Sequence, residues 1–180
     1  MNNYDAIVIG GGPAGSTAAA TLALKGRNVV LLEKEKFPRY HIGESLLPYG
    51  YFIMERIGVL DKMKQSKFTK KYSVQFISQD GRASVPFYFH THLKHDAAQT
   101  WQVLRSEFDQ LLLDNAREKG AVVHEETTVR EGIWENGGVV GVKAVSKDGL
   151  THEFRALITI DATGRDAFFI SRGGWKIRDP

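Results

Sequence analysis

Hydrophobic and polar residues follow one another along the chain in blocks that alternate between strand and helix spacing. Two apolar runs, Ala6 to Ile9 and Asn28 to Leu32, enclose a helical stretch from Ser16 to Leu24, which is typical of a β-α-β unit. A second helical pattern covers Leu46 to Gln65 and is divided at Gly58. The later elements are a hairpin of Lys71–Ser78 and Ala83–His90 around Asp80-Gly81, a helix at Ser106–Lys119, and strands at Ala121–His124, Thr127–Glu135, Val139–Ser146, Thr151–Ala156 and Leu157–Ile160.

This order of elements predicts an α/β fold. The βαβ unit favours a parallel sheet, and the three strands from 127 to 156 form a β-meander because short glycine turns separate them. Residues 68–100 are interpreted as a β insertion on the substrate side of that fold. At 180 residues the chain is long enough for one domain with an ordinary core.

Composition narrows the class of protein. Hydrophobic residues make up 42% and charged residues 25%, as in globular domains, and the net charge is only +3 with the basic residues scattered. A nucleic-acid partner is therefore not expected, and no stretch predicts a signal peptide or a membrane span. The absence of cysteine fits a reducing compartment, so we expect a cytoplasmic protein.

The glycine-rich segment after the first strand carries the strongest chemical signal. Gly10, Gly12 and Gly15 form a G-x-G-x-x-G that opens a helix, with Pro13 and Ala14 between the last two glycines. Such a turn lets a pyrophosphate approach the backbone and the helix N-terminus. Glu33 ends the second strand at the spacing expected for an acid that binds ribose hydroxyls. The pattern predicts dinucleotide binding and leaves both FAD and NAD open.

Four segments resemble the FAD-dependent monooxygenases and, within them, the flavin-dependent halogenases. They are the glycine fingerprint with Glu33, the run from Phe37 to Pro48 that contains Gly43-Glu44-Ser45, the run from Trp101 to Asp109, and Asp161-Ala162-Thr163-Gly164-Arg165. The resemblance covers nearly the whole chain. It implies a Rossmann-like FAD-binding fold of the glutathione-reductase type, with FAD as the cofactor.

The resemblance also implies which residues bind the cofactor. They are Gly10, Gly12, Pro13, Ala14, Gly15, Glu33, Arg39, Gly43, Ser45, Gln102, Arg105, Val129, Asp161 and Gly164. Three of them have a structural alternative. Ser45 could cap a helix, Arg105 could pair with Glu107 or Asp109, and Asp161 could belong to an ordinary glycine turn.

Lys71 is the catalytic candidate. In the halogenases that the chain resembles, reduced flavin reacts with oxygen, halide attacks the flavin hydroperoxide, and one lysine guides the hypohalous acid to the substrate. By resemblance that lysine is Lys71, in Lys71-Tyr72-Ser73-Val74-Gln75-Phe76. Its neighbour Lys70 should point the opposite way on a strand, so one of the two faces the site and the other faces solvent. The alternative is a solvated Lys71.

His90, His92 and His95 are interpreted as surface or substrate-pocket residues, because no carboxylate or cysteine framework accompanies them; no metal is expected. Phe87, Tyr88 and Phe89 could line an aromatic pocket or simply belong to a hydrophobic strand.

Three functions follow from the resemblance. The first is a halogenase of an aromatic or pyrrole-like substrate, free or carrier-bound, which uses halide and reduced FAD from a separate NAD(P)H-dependent flavin reductase. The second is an FAD-dependent aromatic hydroxylase or geranylgeranyl-reductase-like flavoprotein, and the third a truncated, non-catalytic FAD-binding module. The family's second Gly-Asp turn and its Trp-x-Trp-x-Ile-Pro segment are not found before Pro180. We therefore expect an N-terminal part of a longer enzyme that alone binds FAD weakly and is inactive.

Overall fold

A computed structural model describes residues 2–175 and 177. Contacts along the chain divide it into two compact units, which we call the sheet unit (Met1–Tyr40 with Ser106–Pro180) and the lysine unit (His41–Arg105). In chain order the elements are β1 (Asn2–Ile9), α1 (Pro13–Leu24), β2 (Val29–Leu32), α2 (Gly50–Arg56), α3 (Leu60–Gln65), β3 (Thr69–Lys71), β4 (Ser73–Val74), β5 (Phe87–Tyr88), β6 (Thr100–Gln102), α4 (Arg105–Glu118), β7 (Val122–His124), β8 (Thr127–Glu135), β9 (Gly138–Ser146), β10 (Thr151–Asp161) and α5 (Phe168–Arg172).

The sheet unit is built on six strands in the order β7-β2-β1-β10-β9-β8. Strands β7, β2, β1 and β10 run parallel, whereas β10, β9 and β8 pair antiparallel as a meander. All four residues of β2 are buried, as expected for a parallel strand that is covered on both faces. The predicted α/β fold with its meander is confirmed.

The core of the sheet unit lies against one face of this sheet. Ile7, Ile9, Val30 and Leu32 come from the two central strands and are at most 4% exposed. They pack with side chains of the meander strands, among them Val142 and Phe154. Burying each of these large side chains contributes about 1.5–3 kcal/mol, so the first strands and the meander stabilise one another.

The structure corrects two predicted boundaries in the sheet unit. Thr151–Ala156 and Leu157–Ile160 are one strand, β10, which pairs with β9 along its first half and with β1 along most of its length. No glycine or proline interrupts residues 151–161, so nothing in the backbone requires a break there. The first strand also begins earlier than predicted, at Asn2.

The lysine unit contains two small antiparallel ladders and a helix pair. Strand β3 pairs with β6, so that Lys71 lies opposite Thr100, and β4 pairs with β5. The predicted hairpin of Lys71–Ser78 and Ala83–His90 is therefore shorter than expected, with one further bridge between Ile77 and Ala83. Pro86 cannot donate a backbone hydrogen bond, which limits pairing just before β5.

The helical pattern from Leu46 to Gln65 forms two helices, α2 and α3, separated at Gly58 as predicted. The first of them begins only at Gly50, because Leu46 donates its N–H to Trp101 and Glu44 accepts from Val103. Within the part of the chain that the structure describes, no helix is both long and apolar enough to cross a membrane.

Candidate functional site

The glycine loop between β1 and α1 has the backbone geometry that its sequence predicts. Gly10 has a φ of +103°, and a Cβ there would lie 2.6 Å from the carbonyl oxygen of Ala162. A Cβ on Gly15 would lie 1.9 Å from the carbonyl oxygen of Gly10. Both contacts exclude a side chain, so these two glycines set the tight turn and the close approach of α1. Pro13 occupies the first turn of α1, where its missing N–H costs nothing.

Glu33, at the end of β2, is 3% exposed and is bound to this loop. Its Oε2 accepts the N–H of Gly11 at 2.5 Å, and its Oε1 accepts the N–H of Glu35 at 2.8 Å. The carboxylate thus fixes the main chain on both sides of the crevice where the strands end. Glu33 directly follows β2, as the sequence predicted, and its role toward a ribose stays a prediction.

Arg39 lies beside the same loop. Among the described residues other than its chain neighbours, the one group within 4 Å of a Cβ on Gly12 would be the Nη2 of Arg39, at 3.6 Å. The guanidinium also packs on the ring of Phe37, with 4.5 Å from Cζ to the ring centroid. The loop therefore presents an open backbone at Gly12 with a guanidinium next to it, which is the combination that suits a phosphate.

Asp161 holds a turn at the end of β10. Its Oδ1 accepts from the backbone and the hydroxyl of Thr163, and its Oδ2 accepts the N–H of Phe169 at 2.9 Å. Gly164 follows in the same turn with a φ of +63°. Asp161 is therefore a turn residue, as the structural alternative predicted. A role of Asp161 in cofactor binding stays a prediction.

Val129 is 7% exposed and packs in the core of the sheet unit, so only its main chain remains for a cofactor. Two carboxylates of the sheet unit make contacts that sequence reasoning did not predict. The carboxylate of Asp109 contacts Arg39, and that of Glu125 accepts the N–H of Phe37 at 2.6 Å and pairs with Lys36 and Arg117. The contacts of Asp109 with Arg39 and of Glu125 with Phe37 and Lys36 link residues 70 or more positions apart in sequence, for which no local pattern exists.

In the lysine unit, Lys71 meets the Gly-Glu-Ser segment. Its Nζ donates to the hydroxyl of Ser45 at 2.6 Å and to the carbonyl of Leu46 at 3.2 Å. It also lies 5.5 Å from the ring centroid of the buried Phe89. Partial burial lowers the pKa of Lys71 below its ordinary value. Lys71 is thus partly buried and is directed at the segment around Ser45 within the unit, and its catalytic role stays a prediction.

Three further predicted residues surround this contact. Gln102 forms a β-bridge with Ser45, and Arg105 donates from Nη1 to the carbonyl of Ile42 at 2.6 Å. The same nitrogen lies 3.1 Å from where a Cβ on Gly43 would be, and Gly43 has a φ of +103°. Arg105 therefore shapes the backbone before Ser45. The alternative of Ser45 as a helix cap is wrong, because α2 begins five residues later.

Lys70 points away from Lys71, as strand alternation requires, and lines a hollow of about 500 Å³. Tyr51, Lys64, His90, His95 and Trp101 also line it. His92 instead stacks on Phe87, with 4.3 Å between ring centroids. Among the described residues, no three histidines or carboxylates are grouped closely enough to hold a metal ion.

The six-stranded sheet and the glycine loop define a Rossmann-like FAD-binding fold. Residues 5–102 match the family model described as tryptophan halogenase. The chain belongs to the tryptophan halogenase family.

Similar proteins agree with this assignment. The chain is 37% identical to a 1H-pyrrole-2-carbonyl-[peptidyl-carrier protein] brominase of Pseudoalteromonas luteoviolacea over 96% of its own length and 40% of the relative's. It is 41% identical to the flavin-dependent halogenase armH3 of Armillaria mellea, over 93% of this chain and 34% of the relative. Among solved structures, the myxobacterial chondrochloren halogenase CndH, an FAD-dependent halogenase, superimposes with a TM-score of 0.86 at 37% identity, over 92% of this chain and 38% of that one. The chain thus spans about two fifths of the length of these relatives.

Proposed function

We propose that the chain binds FAD and takes part in the halogenation of an aromatic or pyrrole-like substrate. Reduced FAD would come from a separate flavin reductase. The observation that carries the proposal is the 2.6 Å contact between Lys71 Nζ and the Ser45 hydroxyl, since it joins the lysine and the Gly-Glu-Ser segment that flavin-dependent halogenases share.

The residues of the sheet unit fit FAD. Gly12 leaves its backbone open beside the Arg39 guanidinium, which suits a pyrophosphate, and the buried Glu33 carboxylate lies at the ribose position of the fold. When bound and reduced, FAD supplies the oxygen chemistry that oxidises halide to hypohalous acid. Gly10, Gly12, Gly15, Glu33 and Arg39 would hold and orient the adenine-side half of the cofactor.

Lys71 supplies the step that sets halogenation apart from hydroxylation. Its Nζ can hydrogen-bond hypohalous acid, or the neutral amine can attack the halogen, in which case the halogen–oxygen bond breaks and the oxygen leaves as water with a proton from the nitrogen. Ser45 and Leu46 fix the direction of the side chain. The lowered pKa enlarges the neutral-amine fraction, whose lone pair can accept an electrophilic halogen. A substrate on a peptidyl carrier protein, as in the brominase relative, belongs to the same proposal.

The test compares Lys71→Ala with Lys70→Ala in the naturally encoded protein, supplied with reduced FAD, halide and an aromatic or pyrrole-like acceptor. We expect Lys71→Ala to lower halogenated product by about 100-fold or more, while FAD binding and the oxidation of reduced FAD continue. Lys70→Ala is the matched control, because it removes the neighbouring charge on the other face of β3 and should leave halogenation intact. Normal halogenation by Lys71→Ala would show that the lysine is assigned wrongly. A hydroxylated product that forms without halide would instead support the hydroxylase alternative.

A further inference from the structure

We propose that Asp109 is a positioning residue for the pyrophosphate of FAD and acts through Arg39. The inference rests on the proposed binding of FAD to the sheet unit. It assigns a function to a buried carboxylate on α4 that the halogenation chemistry does not otherwise use.

Arg39 is held on three sides. Its Nη1 lies 3.4 Å from Oδ2 of Asp109, and its Nε lies 3.0 Å from Oε2 of Glu35, an ion pair that is not aligned as a hydrogen bond. The ring of Phe37 covers one face of the guanidinium. Nη2 is the nitrogen next to Gly12, at 3.6 Å from where a Cβ would stand. A guanidinium has a planar fork of donors, so fixing Nη1 through Asp109 also restricts the direction in which Nη2 donates.

The two carboxylates that hold Arg39 differ in burial. The side chain of Asp109 is 0% exposed, whereas that of Glu35 is 51% exposed and faces water. Leu113, one turn further along α4, is fully buried and lies 3.2 Å from where a Cβ on Gly11 would be. Helix α4 therefore anchors Asp109 at a fixed place beside the glycine loop. A buried carboxylate on a rigid helix can hold a guanidinium in place better than a mobile, hydrated one.

Charge and positioning predict opposite effects when Asp109 is neutralised. If only charge matters, removing a carboxylate next to Arg39 makes the site more positive, so FAD should bind more tightly. If Asp109 positions Arg39, the loss of its anchor frees the guanidinium to turn away from Gly12, so FAD should bind more weakly. Glu35 is exposed, is screened by water and forms no aligned hydrogen bond with Nε, so its neutralisation should show the charge effect with little loss of positioning.

The experiment measures the dissociation constant of FAD by flavin fluorescence for four forms of the purified protein. We expect Asp109→Asn to bind FAD about fivefold to tenfold more weakly. Glu35→Gln should bind equally well or more tightly. Asp114→Asn is the matched control, because Asp114 is an exposed aspartate of α4 whose arginine partner is Arg117, and it should not change FAD binding. Thermal unfolding of each apoprotein checks that the variant is folded.

A double variant separates positioning from a general effect on the fold. In an Arg39→Lys background the side chain keeps its charge but lacks the fork, so Asp109→Asn should weaken FAD binding no further. Equal or tighter FAD binding by folded Asp109→Asn would overturn the positioning role alone. Absence of FAD binding by the unaltered protein would overturn the proposed function as well. If Asp109→Asn does not fold, the single variant Arg39→Lys is the test. FAD binding as tight as in the unaltered protein would mean that the guanidinium fork is not needed and that Asp109 has nothing to position. A loss of about tenfold in affinity would support the proposal.

Discussion

The sheet unit and the lysine unit form their predicted sites by different physical means. In the sheet unit the main chain itself makes the crevice, through the positive φ of Gly10 and the packing of Gly15 against the Gly10 carbonyl. In the lysine unit the site depends on contacts of one side chain, that of Lys71, which reaches Ser45 and Leu46 across about 25 residues of sequence. When a glycine of a main-chain site is replaced by alanine, the added methyl group collides with neighbouring backbone and the local fold is disturbed. When a side chain of the other kind of site is truncated, one hydrogen bond is lost and the fold is kept.

The largest effect that this comparison predicts is that of Gly15→Ala. The new Cβ would lie 1.9 Å from the Gly10 carbonyl oxygen, so α1 or β1 must move. We expect a loss of at least about 3 kcal/mol in the free energy of unfolding, together with loss of FAD binding. Denaturant unfolding measures the first and flavin fluorescence the second.

Gly12→Ala is the matched control. Gly12 has a φ of −66°, and among the described residues beyond its chain neighbours a Cβ there would come within 4 Å of Arg39 Nη2 alone, at 3.6 Å. The free energy of unfolding should therefore fall by about 1 kcal/mol or less, as for an ordinary helix cap. The affinity for FAD should nevertheless fall, because the methyl group would occupy space that a pyrophosphate needs. If Gly15→Ala is as stable as Gly12→Ala, the crevice is not set by close main-chain packing.

Much of the sheet unit could be predicted from the sequence because its determinants are local. A buried β-branched strand, three glycines at fixed spacing and an acid at the end of the next strand are each visible within a few residues, and the structure places them together. The join of Thr151–Ala156 with the following apolar run was missed, because pairing with β1 continues where the hydrophobic pattern changes. Asp109 was considered only as a partner of Arg105, since nothing in the sequence brings it to Arg39.

The lysine unit was harder to predict because its strands are two or three residues long. Such strands carry too little alternation to fix which residues pair, and Lys71 proved to lie opposite Thr100 rather than within the hairpin. The cofactor-binding role of Ser45 was predicted by resemblance, not by physics, and it stays a prediction. Its local pattern suggested a helix cap, and the bridge with Gln102 overrode that pattern.

A smaller effect is expected from Ser45→Ala in the lysine unit. The substitution removes the hydroxyl that accepts from Lys71 Nζ, which should leave the amine less well directed. One hydrogen bond of about 1 kcal/mol corresponds to roughly a fivefold to tenfold fall in halogenated product per reduced FAD oxidised. Stability should change by less than about 0.5 kcal/mol, since Ser45 is exposed.

Ser78→Ala is the control for this variant, because Ser78 is another exposed serine of the same unit, with its hydroxyl bound to Asp80 and Arg82 in a turn. It should leave the ratio of product to oxidised FAD unchanged. An unchanged ratio in Ser45→Ala would mean that the Leu46 carbonyl alone directs Lys71. Both units would then use main-chain groups to form their sites, and the contrast between them would be smaller.

The smallest effect is the titration of Lys71 itself. Burial disfavours the charged ammonium, so the pKa of Lys71 should lie below the ordinary lysine value of 10.5, and the proton should be lost at lower pH. The chemical shift of its ¹³Cε nucleus, followed from pH 7 to 12 and assigned by its absence in Lys71→Arg, measures the midpoint. A midpoint at or above 10.5 would mean that water solvates the amine despite its contacts with Ser45 and Phe89. The lysine unit would then hold the direction of the side chain without altering its protonation. A lowered midpoint would show that the unit does both.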